Sequence, residues 1–185
     1  MKRRQFIQLI AASSISASSA ADSETFSLTV SQAEGPYYPV EPIPDSHNLL
    51  LSDRHQGSEL NLSGQVLDIS GKPLTSARVE IWQCDGLGVY QHPAAPSFED
   101  FDSEFRGSGA SHTTADGRYA FVTIVPVPYT GRPPHIHAKV FVAGVEKLTT
   151  QIYLRESGGD KRLKIDLEEN SNTAFTASFD FVIET

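Results

Sequence analysis

The sequence predicts an all-β protein, a β-sandwich of mostly antiparallel strands carrying long functional loops. Three observations lead there. From Asp22 onward no stretch of twelve or more residues has helical periodicity. Short runs of alternating apolar and polar residues recur instead, each bounded by Gly, Pro or Asp turn signals. There are seven or more such runs, which is the pattern of two packed sheets.

The first run, Leu60 to Asp68, alternates and ends at the turn Ile69-Ser70-Gly71-Lys72-Pro73. The second, Ala77 to Trp82, puts Ala77, Val79 and Ile81 on one face and Arg78, Glu80 and Trp82 on the other. Ala115-Asp116-Gly117-Arg118 is a tight turn leading into Tyr119 to Ile124. Ile136 to Val142 and Leu148 to Leu154 follow, joined through Ala143-Gly144-Val145-Glu146. Ser171 to Ile183 closes the chain with two short runs, one at Ala174–Phe175 and one from Ser178 to Val182.

Two pieces fit no strand pattern. Residues 35–58 are rich in proline, which cannot serve a sheet interior. Residues 91–111 form a long connection of Phe, Asp, Gly and Ser, a length that in a small domain signals a functional loop. Phe98, Phe101 and Phe105 within it are expected to pack against the sandwich or a pocket wall.

Residues 1–21 read as an export signal. Lys2-Arg3-Arg4 precede a short apolar segment and a small-residue region ending at Ala20-Ala21. The paired arginines before Gln5-Phe6-Ile7 resemble a twin-arginine leader, with a periplasmic or secreted destination and no stable membrane insertion after its removal. Residues 22–185 then form one domain. Three of the 15 basic residues and none of the 23 acidic ones lie in the leader, so the remainder carries −11 rather than −8. That balance excludes a nucleic-acid surface and anionic-membrane binding. Cys84 is the one cysteine, so there is no internal disulfide. It sits in a strand-like run and reads as a buried small hydrophobe.

The chemistry concentrates in Tyr129-Thr-Gly-Arg-Pro-Pro-His-Ile-His137. On a strand, His135 and His137 point to one face and Ile136 to the other, which offers two nitrogens to one metal ion. Tyr90 and Tyr129 both lie at strand exits, after Asp85-Gly86-Leu87-Gly88 and Pro126-Val127-Pro128 respectively. Imidazole with phenolate suits a hard ion such as Fe(III), while no carboxylates stand at zinc or calcium spacing. A copper site remains open from these residues. So does a colourless module that binds carbohydrate or aromatic ligands.

In order and spacing, further motifs accompany these residues: Glu34-Gly35-Pro36-Tyr37-Tyr38, Gly71-Lys72-Pro73-Leu74, Ala77 to Gln83, Phe105-Arg106-Gly107, Asp116 to Phe121 and Leu148-Thr149-Thr150-Gln151. Over roughly residues 31–154 the chain resembles the intradiol ring-cleavage dioxygenases, nearest to their short, single-domain exported members. The resemblance implies a mononuclear non-haem Fe(III) held by Tyr90, Tyr129, His135 and His137, with Tyr129 and His137 axial. It implies a catecholic substrate, dioxygen, and cleavage between the two hydroxyls to a muconate-type diacid. Tyr129 would leave the metal and accept a substrate proton. Arg132 would stabilise developing negative charge, Gln151 would line the oxygen-reaction pocket, and Tyr37 and Tyr38 would pack at the substrate mouth. The family usually has Pro-Gly where this chain has Pro126-Val127, which bears on how readily Tyr129 moves. The resemblance includes no helical dimerisation domain, so a homo-oligomer would need another surface.

Overall fold

A computed structural model of the protein describes residues 26–170 and 174–185. The leader reading and the start of the Ser171–Ile183 run lie outside the described residues. Among the described residues there are ten strands: β1 (Glu59–Asp68), β2 (Arg78–Trp82), β3 (Ser108–His112), β4 (Arg118–Ile124), β5 (His135–Val142), β6 (Val145–Leu154), β7 (Lys164–Ile165), β8 (Glu168–Glu169), β9 (Phe175–Ser178) and β10 (Phe181–Ile183). The described helical pieces are two single 3₁₀ turns, Phe98–Asp100 and Lys161–Leu163. No described helix is long and apolar enough to cross a membrane.

The first sheet is built around β1. Along Glu59 to Gln65 it pairs antiparallel with β4. Its other edge takes β9 at Leu60–Ser63 and then β10 at Val66–Asp68, both parallel, with β8 outside β9. Between β9 and β10 the closing segment steps off the ladder, and the Asp180 carboxylate accepts from the Gln65 amide at 2.8 Å. Gly64 makes this passage possible, because a Cβ there would lie 1.8 Å from the Phe179 carbonyl oxygen.

The second sheet runs β3-β2-β5-β6-β7, antiparallel except for the parallel β6–β7 pair. Leu60, Leu62, Val66 and Phe121 of the first sheet pack against Val79, Ile81, Ile136, Ala138, Val140 and Ile152 of the second. The first sheet buries alternate residues, as one wet face requires. The second does not: β2 and β5 are buried almost continuously. Its outer face is covered by the amino-terminal strap and by the loops around Tyr90 and Tyr129, and that cover builds the site.

One expectation changes. Residues 91–111 are not all connection, since β3 begins at Ser108 and pairs with β2 from Trp82 to Arg78. Its small residues carry no alternation signal. Their smallness has a use, because a Cβ on Gly109 would meet the Ser46 carbonyl oxygen at 2.3 Å. Phe101 and Phe105 pack on the core, and Phe98, though 41% exposed, lines a pocket wall, both as expected. Residues 35–58 form no regular strand; an isolated bridge joins Asn48 to Val122 of β4, and another joins Leu50 to Phe105 in the loop before β3.

Candidate metal centre

Period-two geometry on β5 sends Ile136 into the core and both flanking histidines to the outer face. Their Nε2 atoms stand 3.1 Å apart. His135 Nδ1 lies 2.7 Å from the Pro133 carbonyl oxygen, which can only accept, so Nδ1 carries the proton and Nε2 keeps its lone pair. His137 Nδ1 is buried without a partner. Burial lowers the pKa of both rings; for His137 burial, His135 and Arg132 together bring it to about 3. Both imidazoles are therefore neutral donors across the physiological range.

The two tyrosines close on this pair. Tyr90 and Tyr129 meet edge to face with centroids 5.0 Å apart. Tyr90 lies 6.2 Å from His137, and Tyr129 lies 5.6 Å from His135. The Tyr90 hydroxyl is buried and makes no hydrogen bond of standard geometry, with the Tyr129 phenol beside it. Burial, before any neighbour, raises the Tyr90 pKa far above the ordinary phenol range. Burial raises Tyr129 as well, opposed by the Arg132 cation. No group of three or more His, Cys, Asp or Glu among the described residues could hold a metal ion. A metal centre here must use the phenols.

Tyr129 and Arg132 are joined by a tight turn in which Thr130 and Gly131 both have positive φ, 39° and 76°. The Arg132 amide donates to the Tyr129 carbonyl at 2.7 Å. The Arg132 guanidinium donates to Gln151 Oε1 at 2.9 Å, and Tyr153 donates to the same oxygen at 2.7 Å. Gln151 Nε2 in turn donates to the Ala33 carbonyl at 2.8 Å. Gln151 stands opposite His137 in the β5–β6 ladder and Tyr153 opposite His135. The glutamine thus acts as a bracket between Arg132 and the amino-terminal strap.

That strap crosses the site with Gly35, Tyr37 and Tyr38. A Cβ on Gly35, at φ 79°, would sit 3.2 Å from His137 Cε1. Tyr37 stacks at a tilt on Tyr90, 4.9 Å between centroids. Tyr38 presents its ring edge-on to Trp82 and donates to Glu80 at 2.8 Å. Glu80 also accepts from Arg78, which reaches Asp45 and the Ile43 carbonyl on the strap. Lys139 ties Glu34 of the strap to Glu146 of β6. Trp82, Glu80 and Tyr153 were not singled out from sequence. The alternation of β2 and β6 already put them on the outer face; what was missing was that this face is covered. Cys84 is 1% exposed, and burial pushes its thiol up to about 12. It packs with Trp82, Tyr90 and Val127.

Comparison with known proteins decides the family. A family model described as "Dioxygenase" matches residues 33–185. The chain is 34% identical over 138 residues to catechol 1,2-dioxygenase 2 of Acinetobacter lwoffii, covering 64% of this chain and 48% of that one. It is 35% identical over 144 residues to the protocatechuate 3,4-dioxygenase beta chain of Burkholderia cepacia, covering 71% and 60%. This chain belongs to the intradiol ring-cleavage dioxygenase family. Among solved structures of the family's fold is the dioxygenase domain of a dioxygenase carbohydrate-binding protein fusion from Streptomyces sp. SirexAA-E. It has a TM-score of 0.71 and 30% identity over 86% of this chain and 99% of that one. The matched region spans about half to three fifths of the two curated relatives.

Proposed function

We propose that this protein is an exported, mononuclear non-haem Fe(III) dioxygenase. It would cleave catechol-type rings between the two hydroxyls to give muconate-type diacids. Tyr90, Tyr129, His135 and His137 would hold the ion. One observation carries this reading: two Nε2 atoms face each other at 3.1 Å beside a buried, unpartnered Tyr90 hydroxyl. Buried polar atoms are normally satisfied, and the Tyr90 hydroxyl is not. A cation in place of the proton the two Nε2 atoms can share would take both nitrogens and the phenol oxygen as donors. Fe(III), when bound, supplies a Lewis acid strong enough to keep a phenol ionised and to withdraw electron density from a chelated catecholate.

The rest is the work of the chain. Tyr90 is deeply buried and Tyr129 only partly so, so Tyr129, a phenolate when it holds the ion, would be the tyrosine free to swing and accept a catechol proton on its oxygen. Arg132, held by Gln151, is a fixed cation beside the tyrosines and stabilises negative charge developing on the ring. The strap over His137 limits water and sets the substrate mouth through Tyr37. The twin-arginine-like leader supports a periplasmic or secreted location.

The test is metal analysis and a visible spectrum of purified protein, then oxygen uptake across a panel of substituted catechols with mass analysis of products. The expected result is stoichiometric iron, a red-brown tyrosinate band and products opened between the hydroxyls. Folded protein that is colourless and iron-free, or that binds glycans or aromatics without consuming oxygen, sinks the reading.

A further inference from the structure

A cavity of about 420 Å³ borders the metal centre at Tyr37, Trp82 and Tyr90. Tyr37, Trp82, Phe98 and Phe105 line it, while Tyr129, Arg132, His135 and His137 do not. It is aromatic, of ligand size, and stiffened by prolines from the strap. It holds two charged residues, Arg106 and Glu41; Glu41 is exposed to water.

Arg106 stands apart from the other described arginines. Arg54, Arg78, Arg118, Arg155 and Arg162 each bond a carboxylate, and Arg132 bonds Gln151. Arg106 makes no ion pair among the described residues, and its Nε is buried with no partner. In a chain of net charge −8, with 23 acidic residues, an unpaired and partly buried guanidinium is an anomaly. The same cavity wall carries a second orphan, the buried Trp82 Nε1. Both groups can only donate. Two unsatisfied donors, one cationic, in an aromatic cleft ask for an anionic acceptor attached to an apolar ring.

We propose that this cavity is a binding site for an aromatic carboxylate, with the carboxylate on Arg106 and the ring between the Tyr37, Phe98 and Phe105 side chains. Tyr37, Trp82 and Tyr90 are walls it shares with the metal centre, so occupancy restrains the Tyr37 ring that packs on Tyr90. The proposal stands on Arg106 and the cavity and does not need iron.

The chain's single tryptophan is Trp82, which makes its fluorescence a reporter of this cavity. Full-length protein is titrated with benzoate by fluorescence and calorimetry, with benzyl alcohol as the uncharged control. Saturable benzoate binding is expected, with benzyl alcohol and the R106Q variant each weaker by about tenfold or more, the loss of a charge-assisted contact. Ser103→Phe, an exposed change at the cavity wall that leaves Arg106 in place, should abolish binding while thermal unfolding stays unchanged. In iron-loaded protein the visible band should persist through the titration, whereas ligation of benzoate to the metal would bleach or shift it. No saturable binding, equal affinity in R106Q or in Ser103→Phe, or binding that tracks only the visible band would each overturn the proposal. The colour test of the metal centre is read separately, so either reading can fail alone.

Discussion

The Trp82 indole lies flat on the His137 imidazole, with centroids 4.8 Å apart and planes 8° from parallel. The stack arises from register, since Trp82 and His137 are direct partners across β2 and β5. Tyr38 caps the indole edge-on at 86°. The imidazole therefore has a rigid aromatic wall on one face, which fixes where its Nε2 points. Trp82→Ala should destabilise the fold by about 3–5 kcal/mol, as large aromatic truncations do. Trp82→Phe should lose much less and retain more bound iron. Chemical denaturation with metal analysis of both variants checks the ordering, and equal iron in the two would remove the aiming role.

Tyr90→Phe separates metal binding from packing. In the metal-free protein the hydroxyl is buried without a partner, a cost of about 1–3 kcal/mol that the substitution removes. Metal-free Tyr90→Phe should be as stable as the parent or more so, while the iron-loaded variant loses the visible band. A variant that is markedly less stable without metal would show a hydroxyl partner in solution and weaken the case for a ligand held in waiting.

The turn joining Tyr129 to Arg132 stores conformational strain at one residue. Thr130 is β-branched and sits at φ 39°, a region such side chains avoid. Thr130→Asn should raise stability by about 1 kcal/mol with the turn intact. Gly131→Ala should lower it by a similar amount, although a Cβ there meets nothing within 4 Å. Thermal unfolding of the pair tests this, and a clash-free Gly131→Ala of parental stability would show that the turn relaxes.

Much of this architecture was legible because it is local. Alternation and turn chemistry placed β1, β2, β4, β5 and β6, and the same period put His135 and His137 on one face. What escaped depends on contacts between distant segments. β3 is too small-sided to alternate and is recruited by pairing with β2. β9 and β10 add parallel to β1 by stepping past Gly64, which no short pattern encodes. The strap on the outer face was read as irregular from its prolines, yet what holds it, Arg78, Glu80 and Lys139, looked like solvent-facing polar positions. Arg132 and Tyr129 were placed together by sequence, but Gln151 as the bracket for Arg132 appears only once β5 and β6 are paired.

The Lys139–Glu146 ion pair across β5 and β6 should weaken in acid. Lys139 first, then Thr149, holds the Glu146 carboxyl below its ordinary pKa by hydrogen bonding. A depressed carboxylate contributes stability above its unfolded pKa and loses it as pH falls through the folded value. The stability gap between parent and Glu146→Gln should be level above about pH 5.5 and close toward pH 3. The group is well exposed, so the gap is a few tenths of a kcal/mol, reduced further by salt. Denaturation midpoints at several pH values measure it, and a gap that widens in acid would reverse the assigned sign.

Gln151 positions Arg132 and does not itself need to touch substrate. Its carbonyl oxygen is occupied by Arg132 and Tyr153, and its amide by the Ala33 carbonyl. Gln151→Leu strands all three partners, and the buried Tyr153 hydroxyl suffers most. The expected loss is about 2–4 kcal/mol in stability. Gln151→Glu keeps the acceptor for Arg132 and Tyr153 but turns an oxygen toward the Ala33 carbonyl, so the strap is released while the arginine stays fixed. If the glutamine is a bracket, Gln151→Leu should lower kcat by about tenfold or more as Arg132 drifts. Gln151→Glu, whose added negative charge partly offsets Arg132, should lower kcat less than Gln151→Leu does and raise KM through the loosened mouth. A direct role for the amide in the reaction predicts the opposite, an equal fall in kcat for both. Steady-state oxygen uptake, with the visible band as a check that iron is retained, decides between them.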